Sequence, residues 1–181
     1  VCVRTFSGHS SHVNSATYSP DGRFILSAAD DGTIRVWDTK TGKCVHLSEE
    51  HSVFANAAIY SPDGRHFLST GNDGSPRVWN TKTGELVRIF LGHSMLVTSV
   101  AYSPNGRRVL SGSYDETIKE WNAETGSLIC TFVGHSDSVN TVIYSPNGRN
   151  ILSAGDDKKL REWNTKTGEC IRIFEDSDKV K

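Results

Sequence analysis

Short apolar-rich runs alternate with polar turns along the whole chain, and no stretch carries a helical spacing of apolar positions. One section shows the pattern clearly. Val97 to Tyr102 is apolar-rich and is interrupted by Ser103-Pro104-Asn105-Gly106. Proline presets φ at the second position of a tight turn, and glycine supplies a positive φ at its end. Arg107 to Gly112 is the next run, centred on Val109 and Leu110, and Tyr114-Asp115-Glu116 turns the chain again. Thr117 to Asn122 carries Ile118 and Trp121, Ala123-Glu124-Thr125-Gly126 is a third turn, and Ser127 to Val133 is a fourth run ending at Gly134-His135. Strands of about six residues joined by loops of about four predict an antiparallel meander.

This section is one of four copies. Trp37, Trp79, Trp121 and Trp163 are spaced by 42 residues. The same step relates His9, His51, His93 and His135, then Ser27, Ser69, Ser111 and Ser153, then Asp31, Asp73, Asp115 and Asp157. A fixed period of this length marks one supersecondary unit copied in tandem. The copies run without a linker. They predict a single repeat domain over residues 1–181, with an outer strand at 2–6 and units at about 9–50, 51–92, 93–134 and 135–176. The second run of each copy (Phe24-Ile25-Leu26, Phe67-Leu68, Val109-Leu110, Ile151-Leu152) is apolar on adjacent residues, which implies cover on both faces. Four-stranded units stacked face to face predict an all-β fold of propeller blades.

Composition narrows the function classes. Hydrophobic residues make up 36% of the chain, and its 16 glycines suit a turn-rich β protein. A formal net charge of −1 gives no overall basic field, so nucleic acid is disfavoured as a partner. No apolar run approaches the ~20 residues of a membrane span and no signal peptide is visible, so no membrane partner is expected. The chain starts at Val1 and reads as trimmed or excised. Cys2, Cys44 and Cys170 share a repeat position that Leu86 and Leu128 fill elsewhere, which marks an apolar packing position. With no Cys-x-x-Cys, a reducing, intracellular and cytoplasmic setting is expected. No cofactor or metal is expected. His46 and His66 lack partners at metal spacing, and the glycines belong to turns instead of a phosphate loop.

The order Gly-His, Ser-Pro-Asp-Gly, Asp and Trp-Asp resembles the WD repeats of the β-propeller family, in four copies over residues 2–174. Only Trp37-Asp38 keeps the full dipeptide; Asn80, Asn122 and Asn164 replace the Asp elsewhere, and Glu50 stands where Gly8, Gly92 and Gly134 stand. Pro76 replaces the position of Ile34, Ile118 and Leu160, which predicts local disorder or an edge-like strand in the second copy. The resemblance implies that His9, Ser27, Asp31 and Trp37, with their equivalents in the other copies, form structural tetrads. In these the Trp indole bonds Ser, Ser bonds His and His bonds Asp.

A Ser/His/Asp hydrolase is the alternative. Acyl transfer needs a serine open to substrate beside an oxyanion site. Here each serine lies mid-strand between apolar neighbours, as in Leu26-Ser27-Ala28, so no enzyme is expected. By match to the family pattern, three positions per copy point from one loop face. They are His12, Asn14 and Asp30; Phe54, Asn56 and Asn72; Leu96, Thr98 and Tyr114; and Ser138, Asn140 and Asp156, with Met95 beside them. The expected function is a non-catalytic scaffold binding a protein or peptide there; the other alternative is a fragment of a larger propeller with no independent function. Glu49, Glu50, Asp30, Asp137 and Asp156 fall on that face, which favours a basic peptide. Arg23, Arg65, Arg107 and Arg149, with Lys40, Lys82 and Lys166, fall on the opposite face.

Four blades also raise the question of closure, because the end blades of an open stack expose apolar sheet. The resemblance implies seven or eight blades. Two chains of four close an eight-blade ring, so a homodimer is expected. Residues Cys2 to Phe6 and Glu169 to Phe174 would then compete for the same edge at each junction.

Overall fold

The computed structural model describes residues 2–48, 51 and 54–174. Sixteen strands follow one another: β1 (Val13–Tyr18), β2 (Phe24–Ala29), β3 (Ile34–Asp38), β4 (Cys44–Ser48), β5 (Ala55–Tyr60), β6 (His66–Gly71), β7 (Arg77–Asn80), β8 (Leu86–Ile89), β9 (Val97–Tyr102), β10 (Arg108–Ser113), β11 (Thr117–Asn122), β12 (Leu128–Val133), β13 (Val139–Tyr144), β14 (Asn150–Gly155), β15 (Leu160–Asn164) and β16 (Cys170–Phe174). They form four antiparallel meanders of four consecutive strands each. The Ser-Pro turns behave as their chemistry requires. In the third sheet the Gly106 N–H donates to the Ser103 carbonyl at 2.8 Å, and Gly106 sits at φ +70°, where a side chain is disfavoured.

The sheets stack through their innermost strands, β1 on β5, β5 on β9 and β9 on β13. Three apolar cores fill the gaps between successive sheets. The first joins Leu26, Ile34 and Val36 to Ala58, Phe67 and Trp79. The second joins Leu68, Val78 and Phe90 to Val100, Val109 and Trp121. The third joins Leu110, Ile118 and Phe132 to Val142, Ile151 and Trp163. Each gap thus sets the Leu-bearing face of one sheet against the Trp-bearing face of the next. Burial of each such side chain contributes about 1.5–3 kcal/mol. Among the described residues no core joins the fourth sheet to the first. Val13 is 54% exposed where Val97 and Val139 are 0%, and Phe174 is 40% exposed where Phe132 is 1%.

Two expectations meet the structure differently. The outer strand expected at Cys2–Phe6 is not formed, because residues 2–9 carry no strand. A fourth strand pairs with the third strand of its own sheet, and no described strand precedes residue 2 to receive it. Side chains hold the segment instead: Arg4 Nη1 donates to the Thr39 carbonyl at 2.7 Å, and the Phe6 ring meets Trp37 edge-on at 5.9 Å. At Pro76, β7 is shortened and not disordered. The other sheets pair Ala28 with Ile34, Gly112 with Ile118 and Ala154 with Leu160, whereas β6–β7 pairing stops at Ser69 with Arg77. Proline has no N–H for that rung. Its carbonyl still accepts from Phe90 N at 2.9 Å, which keeps the outer side of the ladder. Glu49, Glu50 and Asp176 lie outside the described residues.

Candidate functional site

Each sheet builds the same four-residue chain. The second strand supplies the serine, the third the tryptophan, the segment before the first strand the histidine, and the turn between second and third strands the aspartate. In the first sheet Trp37 Nε1 donates to Ser27 Oγ at 2.8 Å, Ser27 Oγ meets His9 Nε2 at 2.7 Å, and His9 Nδ1 meets Asp31 at 3.0 Å. In the second, Trp79–Ser69, Ser69–His51 and His51–Asp73 are 2.7, 2.8 and 3.1 Å. In the third, Trp121–Ser111, Ser111–His93 and His93–Asp115 are 2.8, 2.7 and 2.7 Å. In the fourth, Trp163–Ser153, Ser153–His135 and His135–Asp157 are 2.8, 2.7 and 3.0 Å. The chemistry assigns the protons. In the third sheet the ionised Asp115 carboxylate only accepts, so His93 Nδ1 carries a hydrogen; in the second and fourth sheets the donor-only Arg77 and Arg161 Nη1 also stand 2.9 and 2.8 Å from His51 and His135 Nδ1. The neutral His93 ring then accepts at Nε2, and the Ser111 hydroxyl donates there while accepting from the Trp121 indole.

The aspartates are secured in two ways. In the first and third sheets Thr33 and Thr117 Oγ1 donate to Asp31 and Asp115 at 2.7 and 2.6 Å. In the second and fourth sheets Arg77 and Arg161 Nη1 bond Asp73 and Asp157 instead. Burial by itself would raise all four carboxyls, but these hydrogen bonds and those from histidine and backbone N–H groups outweigh it, and Asp157 is held down to about 2. Burial also lowers His93 and His135, against the pull of their aspartates. Both rings are therefore neutral near pH 7.

This arrangement leaves little for acyl transfer. The four serines are between 0% and 4% exposed, and each hydroxyl is bonded on two sides. Ser111→Ala is expected to lower the unfolding free energy by about 1–2 kcal/mol, because the indole N–H and the imidazole both lose a partner. Urea denaturation measures this, and an unchanged midpoint would show that the hydroxyl fastens nothing.

The loop-face residues divide into two groups. Asn14 Nδ2 donates to Asp30 at 2.6 Å and reaches across to the Ala55 carbonyl at 3.0 Å. Asn56 Nδ2 likewise bonds Asn72 and, across the gap, the Val97 carbonyl, both at 3.0 Å. Thr98 Oγ1 bonds the Gly112 carbonyl and reaches the Val139 carbonyl. These three tie successive sheets together, a role that spacing alone did not reveal. The signal was a hydrogen-bonding residue at one fixed repeat position. Among the described residues Asn140 Nδ2 bonds Asp156, within its own sheet, and no carbonyl across a gap. Ser138 is buried and Leu96 half-buried. His12 is exposed, 3.6 Å from Asp30. Phe54, Met95 and Tyr114 are exposed at the loop ends of the second and third sheets. The Met95 carbonyl lies against the Gly74 turn, which seats the loop of the third sheet over the second. Among the described residues no three His, Cys, Asp or Glu side chains gather as a metal site, and no helix is long and apolar enough to cross a membrane.

A family model described as WD domain, G-beta repeat matches residues 1–38, 42–80, 84–122 and 126–164. Over 49 residues the chain is 45% identical to nuclear distribution protein PAC1 of Gibberella zeae, covering 26% of this chain and 11% of that protein. It is 52% identical over 40 residues to WD repeat-containing protein 36 of Homo sapiens, covering 22% and 4%. It is 49% identical over 43 residues to U3 small nucleolar RNA-associated protein 21 of Saccharomyces cerevisiae, covering 24% and 5%. The matched segments are thus a small part of each relative.

Proposed function

The chain belongs to the WD domain, G-beta repeat family, and we propose that it is a non-catalytic scaffold binding a protein or peptide on the loop face of its blades. The observation that carries this is the exposure of Phe54, Met95 and Tyr114 among the polar loop positions of the second and third sheets. Exposed aromatics beside polar groups suit a protein contact, since such side chains anchor interfaces while their neighbours exclude water. Asp30, Asp137 and Asp156 add negative charge to the same face, which favours a basic peptide. The residues that could do chemistry act instead as internal fasteners: the buried, doubly bonded serines lend the hydrolase alternative no support. The relatives are named a nuclear distribution protein and a small nucleolar RNA-associated protein. These names support an intracellular setting, and free Cys2, Cys44, Cys130 and Cys170 suit a reducing, cytoplasmic one.

Phe54→Ala combined with Tyr114→Ala tests the loop face. A library of basic peptides displayed against the wild-type chain yields binders, and titration with the double variant is expected to weaken them by about tenfold or more for each lost anchor. Equal affinity for a double variant that melts like the wild type would sink the reading.

We infer further that the two open ends meet in a second copy of this chain, so that eight blades close one ring. The open face of the fourth sheet, where Phe174 is 40% exposed, and that of the first, where Val13 and Tyr18 are 54% and 66% exposed, are the two halves of the contact made three times inside the chain. At each junction the outer edge has two candidates. Cys2, Arg4 and Phe6 recur as Cys170, Arg172 and Phe174, and Phe6 already rests on Trp37. The alternative is that these four repeats are part of a larger propeller, whose further blades would cover the same two ends.

A further inference from the structure

We propose that, on the two-copy reading above, the ring closes in one defined register. In it Tyr18 of a second copy donates to the Glu162 carboxylate, and Asn140 donates to the Val13 carbonyl of that copy. The template lies between the third and fourth sheets. There Glu120 is fully buried, accepting from Arg108 Nη1 at 2.9 Å and from the Tyr144 hydroxyl at 2.8 Å. A buried carboxylate persists only where donors replace its water.

The repeat step of 42 residues carries this set onward. Arg108 becomes Asn150, Glu120 becomes Glu162, and the next tyrosine in the series is Tyr18 of a following copy. Half of the set is already in place, since Asn150 Nδ2 donates to Glu162 Oε1 at 2.7 Å. The missing half is 66% exposed at the other end of the molecule, as Tyr18. The other two gaps do not use this device. Val36 and Val78 hold the carboxylate's position there, and the Tyr60 hydroxyl is buried with no hydrogen-bond partner among the described residues. A carboxylate therefore appears only where the third sheet meets the fourth and on the open face of the fourth.

A second observation gives the same register. Asn14, Asn56 and Thr98 each bond a carbonyl at the start of the next sheet, at Ala55, Val97 and Val139. Asn140 occupies the same repeat position on the last sheet, and the carbonyl one step on is that of Val13. Shape agrees. A Cβ placed on Gly112 would lie 3.5 Å from the Val139 Cβ. One step on, those positions are Ala154 and Val13 of the second copy.

That spacing falls within the range of about 3.5–4.5 Å that a disulfide spans. With Cys2, Cys44, Cys130 and Cys170 replaced by serine, Val13→Cys combined with Ala154→Cys is expected to oxidise to a covalent species of two chains on a non-reducing gel. A cross-link confined to single chains would mean that four sheets seal on themselves, and a ladder of higher species would mean an open fibre. Either result overturns the proposal. Sedimentation of the unaltered chain separates the two inferences: a dimer without the 13–154 link leaves the two-copy reading standing and removes this register, while a monomer at micromolar concentration removes both. Independently of the cysteine variant, Tyr18→Phe is expected to weaken the dimer about tenfold. Adding Glu162→Gln should then cost much less than it does alone, because the two groups act on one bond. Additive losses would also overturn the register.

Discussion

Trp121→Ala is expected to lower the unfolding free energy by about 3–5 kcal/mol, the loss typical of removing a large buried aromatic side chain. Trp121 is 1% exposed and belongs to the core between the second and third sheets, with Leu68, Val78, Phe90 and Val109. Its ring lies 5.5 Å from Phe90, and its N–H is the first link of the chain through Ser111 to His93. Truncation would therefore open a cavity and strip a buried hydroxyl of its donor together. Against a typical total stability of about 5–15 kcal/mol, that is a large share. Trp37 provides the contrast. It has the same repeat position and the same serine bond but lies outside all three inter-sheet cores, covered by Phe6 at 5.9 Å and by Arg35. Trp37→Ala in dilute protein, below the concentration at which copies associate, is expected to cost clearly less. Urea midpoints of the two variants decide the matter. Equal losses would show that packing across the sheets is not what these rings contribute.

Acid is expected to unfold the chain in two stages. His93 and His135 are held below the usual imidazole value by burial. As pH falls below about 6.5 the unfolded chain takes up protons that the folded chain refuses, so stability begins to decline there. The aspartates act lower. Burial would raise Asp31, Asp73, Asp115 and Asp157, but their hydrogen bonds prevail and depress all four, Asp157 to about 2. A depressed carboxyl stabilises the fold fully above its unfolded value near 3.9 and loses that contribution as pH falls through the folded value. Melting temperatures followed by circular dichroism should be level between pH 8 and 7, decline gently below about 6.5, and fall steeply between about pH 4 and 2. A level profile down to pH 3 would contradict the ionised, hydrogen-bonded state of the aspartates.

Much of the architecture was legible because each strand carries its own instructions. Adjacent apolar residues such as Leu110 beside Val109 require cover on two faces, and Ser-Pro-x-Gly dictates a tight turn wherever it occurs. The shortening at Pro76 followed from a missing N–H, which is a property of the residue and not of its surroundings. The segment Cys2–Phe6 shows the opposite case. Its pattern matches Cys170–Phe174, yet only the latter is a strand, because β15 stands beside it to accept its hydrogen bonds. The clamps from Asn14, Asn56 and Thr98 were likewise invisible as clamps, since the carbonyls they meet lie about one whole repeat away.

The sequence by itself determined the repeating unit: four strands, three turns, and a tryptophan, serine, histidine and aspartate at a constant step. These follow from periodicity and turn chemistry, which act over a few neighbouring residues. Only the tertiary structure decided which face of each sheet is covered, that Glu120 is buried against Tyr144 while Tyr18 stands open, and that three cores serve four sheets. Burial is a relation between sheets, so identical repeats acquire different environments according to whether a neighbour stands beside them.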